Sequence, residues 1–205
     1  MESFTYFGVT VSSDLRLHEH VAAVSVKATH VLNILCININ VCSSEVEALA
    51  FSSLVRPHLE YASASWDPYM ARDTQQLEGV QCHSAQFLHK DYRSTTSLSQ
   101  LLSYLNWSPL SSRRKISRLV IFYKGLHGIC PILLDHPRRP TRHTRSIDGL
   151  IFIHLPAHVD CYKCSFFPRT VIDWNTLPSA IQCLSFVSSF RNSMHRMVFT
   201  GHPSY

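Results

Sequence analysis

The sequence predicts a mainly α fold, with a short N-terminal strand and a small, irregular C-terminal segment containing minor β structure. Two observations lead to this prediction. Apolar residues recur at three- and four-residue steps in several separate stretches, which is typical of amphipathic helices. Strand-like alternation is confined to short segments. The chain has 205 residues, 45% of them hydrophobic, which is enough for a buried core and excludes disorder throughout.

The N-terminal residues predict one strand followed by one helix. Phe4 to Val11 alternates and is rich in aromatic and β-branched residues, as strands are. From Glu19 to about Asn38 the apolar period becomes that of a helix. Its expected apolar face comprises Val21, Val24, Ala28, Val31, Leu32 and Leu35.

A second helix is expected to begin at Ser43 or Ser44, since serine caps helix N-termini. Pro57 is expected to end or kink this helix, because its ring disfavours the α conformation before it. The predicted helix carries Glu45 and Glu47 in its first turn, and its apolar face comprises Val46, Leu49, Ser53 and Leu54.

Three further helices are predicted at about 72–89, 98–104 and 109–127. The last has the clearest pattern, with an apolar face about 120° wide and a basic side opposite to it. The apolar face contains Ile116, Leu119, Val120, Tyr123 and Leu126, and the basic side contains Arg114, Lys115 and Arg118.

The C-terminal part predicts a linker, a strand and a helix. Residues 137–145 are basic and broken by proline, as linkers are. A strand at 150–154 and a helix at 186–198 follow. The predicted organisation is a strand remnant at 1–14, a helical domain at 15–135, a basic linker at 136–150 and a small segment at 151–205.

Charge divides the chain into two parts. Residues 1–112 hold 6 basic and 10 acidic side chains, and residues 113–205 hold 13 and 4, so the net charges are −4 and +9. A basic helix face followed by an arginine-rich arm fits phosphate binding, and the alternative is a solvated surface. The candidate nucleic-acid-binding residues are Arg113, Arg114, Lys115, Arg118, Lys124, Arg138, Arg139, Arg142, Arg145 and Arg169.

The sequence shows no motif for catalysis or for a cofactor. No two acidic residues are adjacent, and neither a Gly-x-Ser-x-Gly elbow nor a P-loop occurs. His154, His158, Cys161 and Cys164 are of zinc-ligand types, but their inverted order favours surface histidines and half-buried cysteines, so no metal and no cofactor are expected.

Cysteine usage and hydropathy indicate an intracellular protein of the nucleus or cytoplasm. The seven cysteines lack framework spacing, the first residues do not resemble a secretory signal, and no apolar run is judged long enough to cross a membrane.

Several segments resemble, in collinear order, the region downstream of the palm in LINE-type (non-LTR) retrotransposon reverse transcriptases. The resemblance rests on residues 6–15, 50–69 and 105–110 and on the block Ser165-Phe-Phe-Pro-Arg-Thr-Val-Ile-Asp-Trp-Asn-Thr-Leu-Pro. It implies a helical thumb-like domain with a post-thumb segment. The catalytic carboxylates and the endonuclease domain of that family lie upstream of the matching region, so the resemblance implies no enzymatic activity.

The sequence also departs from the pattern of that family. Leu17 stands where the family usually has tryptophan, Cys161 and Cys164 where it has tyrosines, and Cys82 and His83 in a run that is usually arginine-rich. These losses imply weaker nucleic-acid binding than an intact enzyme has.

Two hypotheses about function follow from the sequence. The first is a non-catalytic reverse-transcriptase fragment that binds RNA or an RNA–DNA duplex through phosphates, with the missing palm as a further partner. The second is a retrotransposon-derived interaction protein, or a pseudogene-like product, that does not bind nucleic acid. Its contact surface is expected to include the aromatics at 4–7, Val9 and Val11, because these residues are expected to pack on the palm in the full-length element.

Overall fold

The computed structural model of the chain describes residues 3–92, 97–131, 150–154 and 156–200. The described part is mainly helical and contains a single antiparallel pair of strands, which confirms the predicted fold class. It divides into two compact units, residues 1–113 and 114–205. The predicted linker at 136–150 lies outside the described residues except for Leu150.

The N-terminus forms a hairpin, so the prediction of one continuous strand from Phe4 to Val11 is wrong. Strand β1 (Ser3–Tyr6) pairs with β2 (Val9–Ser12), with Tyr6 opposite Val9. The two turn residues, Phe7 and Gly8, have φ values of 46° and 78°. Positive φ at both central positions is the pattern of a type I′ turn, whose twist matches that of the paired strands.

Helix α1 (His18–Asn38) has the predicted extent and apolar face. Val21, Ala28 and Leu32 are fully buried in the core of the first unit. Its length and mean hydropathy of 1.4 also meet the requirement for a membrane span, so the expectation that no segment is long enough was too strong. Core helices of soluble proteins meet the same requirement, and the fold is compatible with a soluble protein.

The second helical stretch continues through Pro57 instead of ending before it. It consists of α2 (Ser44–Ala50), a π-helical turn (Phe51–Val55) and α3 (Arg56–Glu60). The wider π turn accommodates the proline, which lacks an N–H and stands in the first turn of α3.

The buried face of this stretch differs from the predicted one. Val46, Leu49 and Leu54 are 47%, 66% and 51% exposed. The residues that face the core follow four-residue steps and are Glu47, Phe51, Val55 and Leu59. Because a glutamate lies within this buried stripe, the pattern of apolar residues alone does not identify the buried face.

The rest of the first unit comprises α4 (Ser63–Trp66), α5 (Ala71–His89) and α6 (Leu98–Tyr104). The last two helices match their predicted extents within a residue. One face of α5 is buried and comprises Leu77, Val80, Ser84, Phe87 and Leu88. Trp66 belongs to the core of the same unit, and its indole N–H donates to the Tyr61 carbonyl at 2.6 Å.

Helix α7 (Leu110–Leu126) contains the division between the units, and four helices follow among the described residues of the second unit. These are α8 (Asp160–Lys163), α9 (Phe166–Asn175), α10 (Ser179–Gln182) and α11 (Val187–Thr200), the last close to its predicted extent. Their core joins the apolar face of α7 to Phe152, Val171, Trp174, Leu177, Phe190 and Met194.

Candidate nucleic-acid interface

The first turn of α7 is held by side chains of α5. The Glu78 carboxylate accepts the backbone N–H groups of Leu110 at 3.1 Å and Ser111 at 2.7 Å, and Gln81 donates to the Ser108 carbonyl at 3.0 Å. N–H groups in the first turn of a helix have no partner within the helix, and a carboxylate there also opposes the macrodipole. Glu78 therefore acts as a cap supplied from another helix.

Arg113, the first of the candidate binding residues, is engaged within the first unit. Its guanidinium forms a two-pronged ion pair with the Glu60 carboxylate, and about a quarter of either side chain is exposed. A guanidinium held by both prongs has to leave its carboxylate before it can contact a phosphate in the same way.

Arg114 and Arg118 are buried, which corrects the expectation that they lie on a solvated face of α7. They are 1% and 2% exposed. Arg118 donates to Asp173 of α9 at 2.8 Å. Burial of a guanidinium is tolerated where a carboxylate offsets the loss of hydration, and for Arg118 that carboxylate is 55 residues away in sequence.

Lys115 shares the same carboxylate but remains at the surface. Its ammonium lies 2.8 Å from the second oxygen of Asp173, and its side chain is 43% exposed. One carboxylate thus binds a buried cation and a solvated one. Of the basic cluster at the start of α7, Lys115 is the residue best placed to meet an external anion.

The block from Ser165 to Pro178, which contributes to the family resemblance, has a structural role in this fold. Asp173 binds Arg118 and Lys115, the Trp174 indole donates to the Leu150 carbonyl at 2.7 Å, and Asn175 bonds the N–H and C=O of Phe152 at 3.1 and 2.8 Å. Three consecutive side chains therefore join α9 to α7 and to the segment at 150–152.

The predicted strand at 150–154 pairs with no other strand among the described residues. Besides the bonds from Trp174 and Asn175, the Gln182 side chain accepts the Leu150 N–H at 2.9 Å and donates to the Trp174 carbonyl at 2.9 Å. Side-chain amides thus replace a neighbouring strand, because buried backbone polar groups require partners.

Two of the remaining candidate residues are described. Lys124 lies in the last turn of α7, Arg169 lies in α9, and both are half-buried. The four arginines of the predicted arm, Arg138, Arg139, Arg142 and Arg145, lie outside the described residues and stay sequence predictions.

Three surface cations of the second unit are not among the residues predicted from the sequence. Lys163 of α8 and both Arg191 and Arg196 of α11 are exposed. The helical period could have identified the two arginines, because Phe190 and Met194 form the buried side of α11 and the arginines lie off that side.

No metal centre forms within the part of the chain that the structure describes. His154 and His158 are exposed, Cys161 and Cys164 are half-buried, and no three His, Cys, Asp or Glu side chains come together there to hold an ion. Among other thiols, burial raises the pKa values of Cys36 and Cys82, which disfavours the reactive thiolate.

Comparison with protein-family models, with curated proteins and with solved structures finds no match to this chain.

Proposed function

We propose that this chain is a non-catalytic nucleic-acid-binding protein that contacts the phosphates of RNA or of an RNA–DNA duplex through its second unit. The observation that carries the proposal is the charge of that unit. Residues 114–205 hold 12 basic and 4 acidic side chains, a net charge of +8. The resemblance to the region downstream of the palm in non-LTR reverse transcriptases supports the same function.

The positions of the carboxylates strengthen the proposal. The described residues of the second unit include two acidic side chains, Asp160 and Asp173, and Asp173 is already shared by two cations. Repulsion of a polyanion by this unit is therefore small. Arg114 and Arg118 build the interior, while Lys115, Lys163, Arg191 and Arg196 are the described cations that phosphates can reach.

Binding of a labelled RNA–DNA duplex, followed by fluorescence anisotropy between 50 and 200 mM salt, tests the proposal. Contacts to phosphates release counterions, so log K should fall linearly with log salt, with a slope near −0.9 per neutralised phosphate. An affinity no higher than that of a neutral control protein at 50 mM salt contradicts the proposal.

Two sets of variants locate the contact. Arg191→Gln with Arg196→Gln removes two exposed cations of α11. A second variant replaces the four arginines of the predicted arm and carries Arg138→Gln, Arg139→Gln, Arg142→Gln and Arg145→Gln. Arg16→Gln with Arg72→Gln removes two exposed cations of the first unit and serves as the charge-matched control for the α11 pair. Equal losses for the α11 pair and its control mean that the effect is one of net charge alone.

A second function, protein interaction without nucleic-acid binding, is favoured by one feature of the hairpin. Phe4, Tyr6 and Phe7 are 65%, 64% and 77% exposed, whereas Val9 and Val11 are half-buried. Adjacent exposed aromatics are typical of contact surfaces. Sedimentation of the chain tests whether this surface associates with itself. Self-association that Phe4→Ser weakens supports the surface, and a monomer at all concentrations argues against self-association.

A further inference from the structure

A cleft in the first unit lies between the hairpin, α1 and the start of α3. Its volume is about 450 Å³, within the range of small-molecule sites. Ala23, Val24, Pro57 and the ring of Tyr61 contribute apolar surface to its lining.

The hairpin turn is fastened at the edge of this cleft. The Tyr61 hydroxyl donates to the Phe7 carbonyl at 3.1 Å, and a β-carbon at Gly8 would lie 3.3 Å from the Tyr61 ring. Gly8 thus serves both the positive φ of the turn and the close approach of the tyrosine. The cleft is consequently bordered by fixed elements.

The titratable side chains that line the cleft are Lys27, His20, His58 and Tyr61, and no carboxylate lines it among the described residues. This is unusual for the first unit, in which residues 1–113 hold 7 basic and 10 acidic side chains. Arg16 and Arg113 of this unit lie within 4 Å of a carboxylate, whereas Lys27 and His58 have no such partner among the described residues. The cleft therefore offers an uncompensated positive charge.

His20 also lines the cleft, with its second ring nitrogen, Nε2, buried beneath the surface. It is 3% exposed, packs edge-to-face on Trp66 and accepts the Thr10 N–H at Nδ1, at 3.2 Å. Burial lowers the pKa of the imidazole, so the ring is neutral and its proton resides on Nε2. That nitrogen has no hydrogen-bond acceptor among the described residues.

We propose that the cleft between the hairpin and α1 binds a phosphate group, held by Lys27 and His58. A phosphate has several acceptor oxygens and fits a site with an ammonium and an imidazole better than a group with a single acceptor does. The apolar lining accommodates the organic part of a phosphate ester. This site lies in the first unit and is independent of the cationic surface of the second unit.

Amide chemical shifts of the full chain, labelled with ¹⁵N and titrated at constant ionic strength, test the proposal. The probes are inorganic phosphate, adenosine monophosphate, adenosine, and an RNA tetranucleotide without terminal phosphates. The first two should give saturable shifts at Thr10, Lys27 and His58, and adenosine should not. A response to the tetranucleotide but not to the monophosphate also supports phosphate recognition and identifies a nucleic-acid backbone as the source.

The double variant Lys27→Met with His58→Gln should weaken binding at least about tenfold, since it removes two of the groups that meet the phosphate. Arg72→Gln, which removes an exposed cation of the same unit outside the cleft, should leave binding unchanged. Because Lys27 is exposed and His58 half-buried, both variants should keep the folded spectrum. The proposal is wrong if neither phosphate source gives saturable shifts, if adenosine binds as well as its monophosphate, or if the double variant binds like the control.

Discussion

Replacing Asp173 by asparagine removes the carboxylate that Arg118 and Lys115 share, while the size of the side chain is kept. The side chain of Arg118 is 3% exposed and that of Asp173 is 19% exposed. Removal of one partner of a buried ion pair costs about 3–5 kcal/mol, because a charge stays buried without its counterion. The partial exposure of Asp173 places this change at the lower end, about 3 kcal/mol.

The matched comparison is Lys115→Met, which removes the other cation from the same carboxylate. The Lys115 side chain is 43% exposed, and exposed ion pairs contribute less than about 1 kcal/mol. If burial decides the role of each cation, Asp173→Asn should be much more destabilising than Lys115→Met, although both changes break a contact of 2.8 Å.

Native-state hydrogen exchange, measured by mass spectrometry, reports on the two units separately. A loss of about 3 kcal/mol corresponds to roughly a hundredfold faster exchange of the most protected amides. This acceleration is expected in peptides covering 116–126 and 166–176, and not in a peptide covering 21–35. The assignment of Arg118 to the structural core is wrong if the amides of Asp173→Asn exchange as slowly as those of the unaltered chain. It is also wrong if Lys115→Met lowers the free energy of unfolding as much as Asp173→Asn does.

Three further outcomes are expected. Burial lowers the pKa of His20, so the unfolded chain binds the proton more tightly than the folded chain does. Stability measured by urea titration should therefore fall as the pH drops below about 6.5, and His20→Gln should flatten this part of the pH profile. Glu78→Ala removes the cap of α7 and should cost about 1–2 kcal/mol in the same titration. Glu45→Ala removes an exposed first-turn carboxylate of α2 and should cost less, about 0.3 kcal/mol. Asn175→Ala removes two hydrogen bonds to Phe152 and should cost about 2 kcal/mol, seen as faster exchange of a peptide covering 150–154; unchanged exchange there contradicts the role given to the amide.

Helix positions in this chain could be predicted from the sequence because their causes are local. The apolar periods of α1, α5 and α7 gave these helices within a residue or two of their extents. The hairpin could not be predicted from alternation, because the alternation continues across Phe7 and Gly8. The local signal for the turn is the glycine, which suits a type I′ turn.

The burial of charged residues could not be predicted, because its causes lie far away in sequence. A helical projection places Arg118 on the polar side of α7, and only the approach of Asp173 from α9 makes its burial tolerable. Glu47 occupies the buried stripe of α2 that an apolar criterion assigns to solvent, and no hydrogen-bond partner among the described residues accounts for its burial. The structure therefore corrects which arginines of α7 reach the surface, whereas the interface itself stays a proposal.

Phosphate binding by the second unit is tested by the salt dependence of RNA–DNA duplex affinity, measured for the chain and for its Arg191→Gln, Arg196→Gln variant. If phosphates bind at α11, log K should fall steeply and linearly with log salt for the chain, and the slope should be smaller by up to about 2 for the variant. Arg16→Gln with Arg72→Gln should not change the slope in this way. Affinity that is independent of salt, or a variant slope equal to that of the unaltered chain, would contradict the assignment of α11 to the interface.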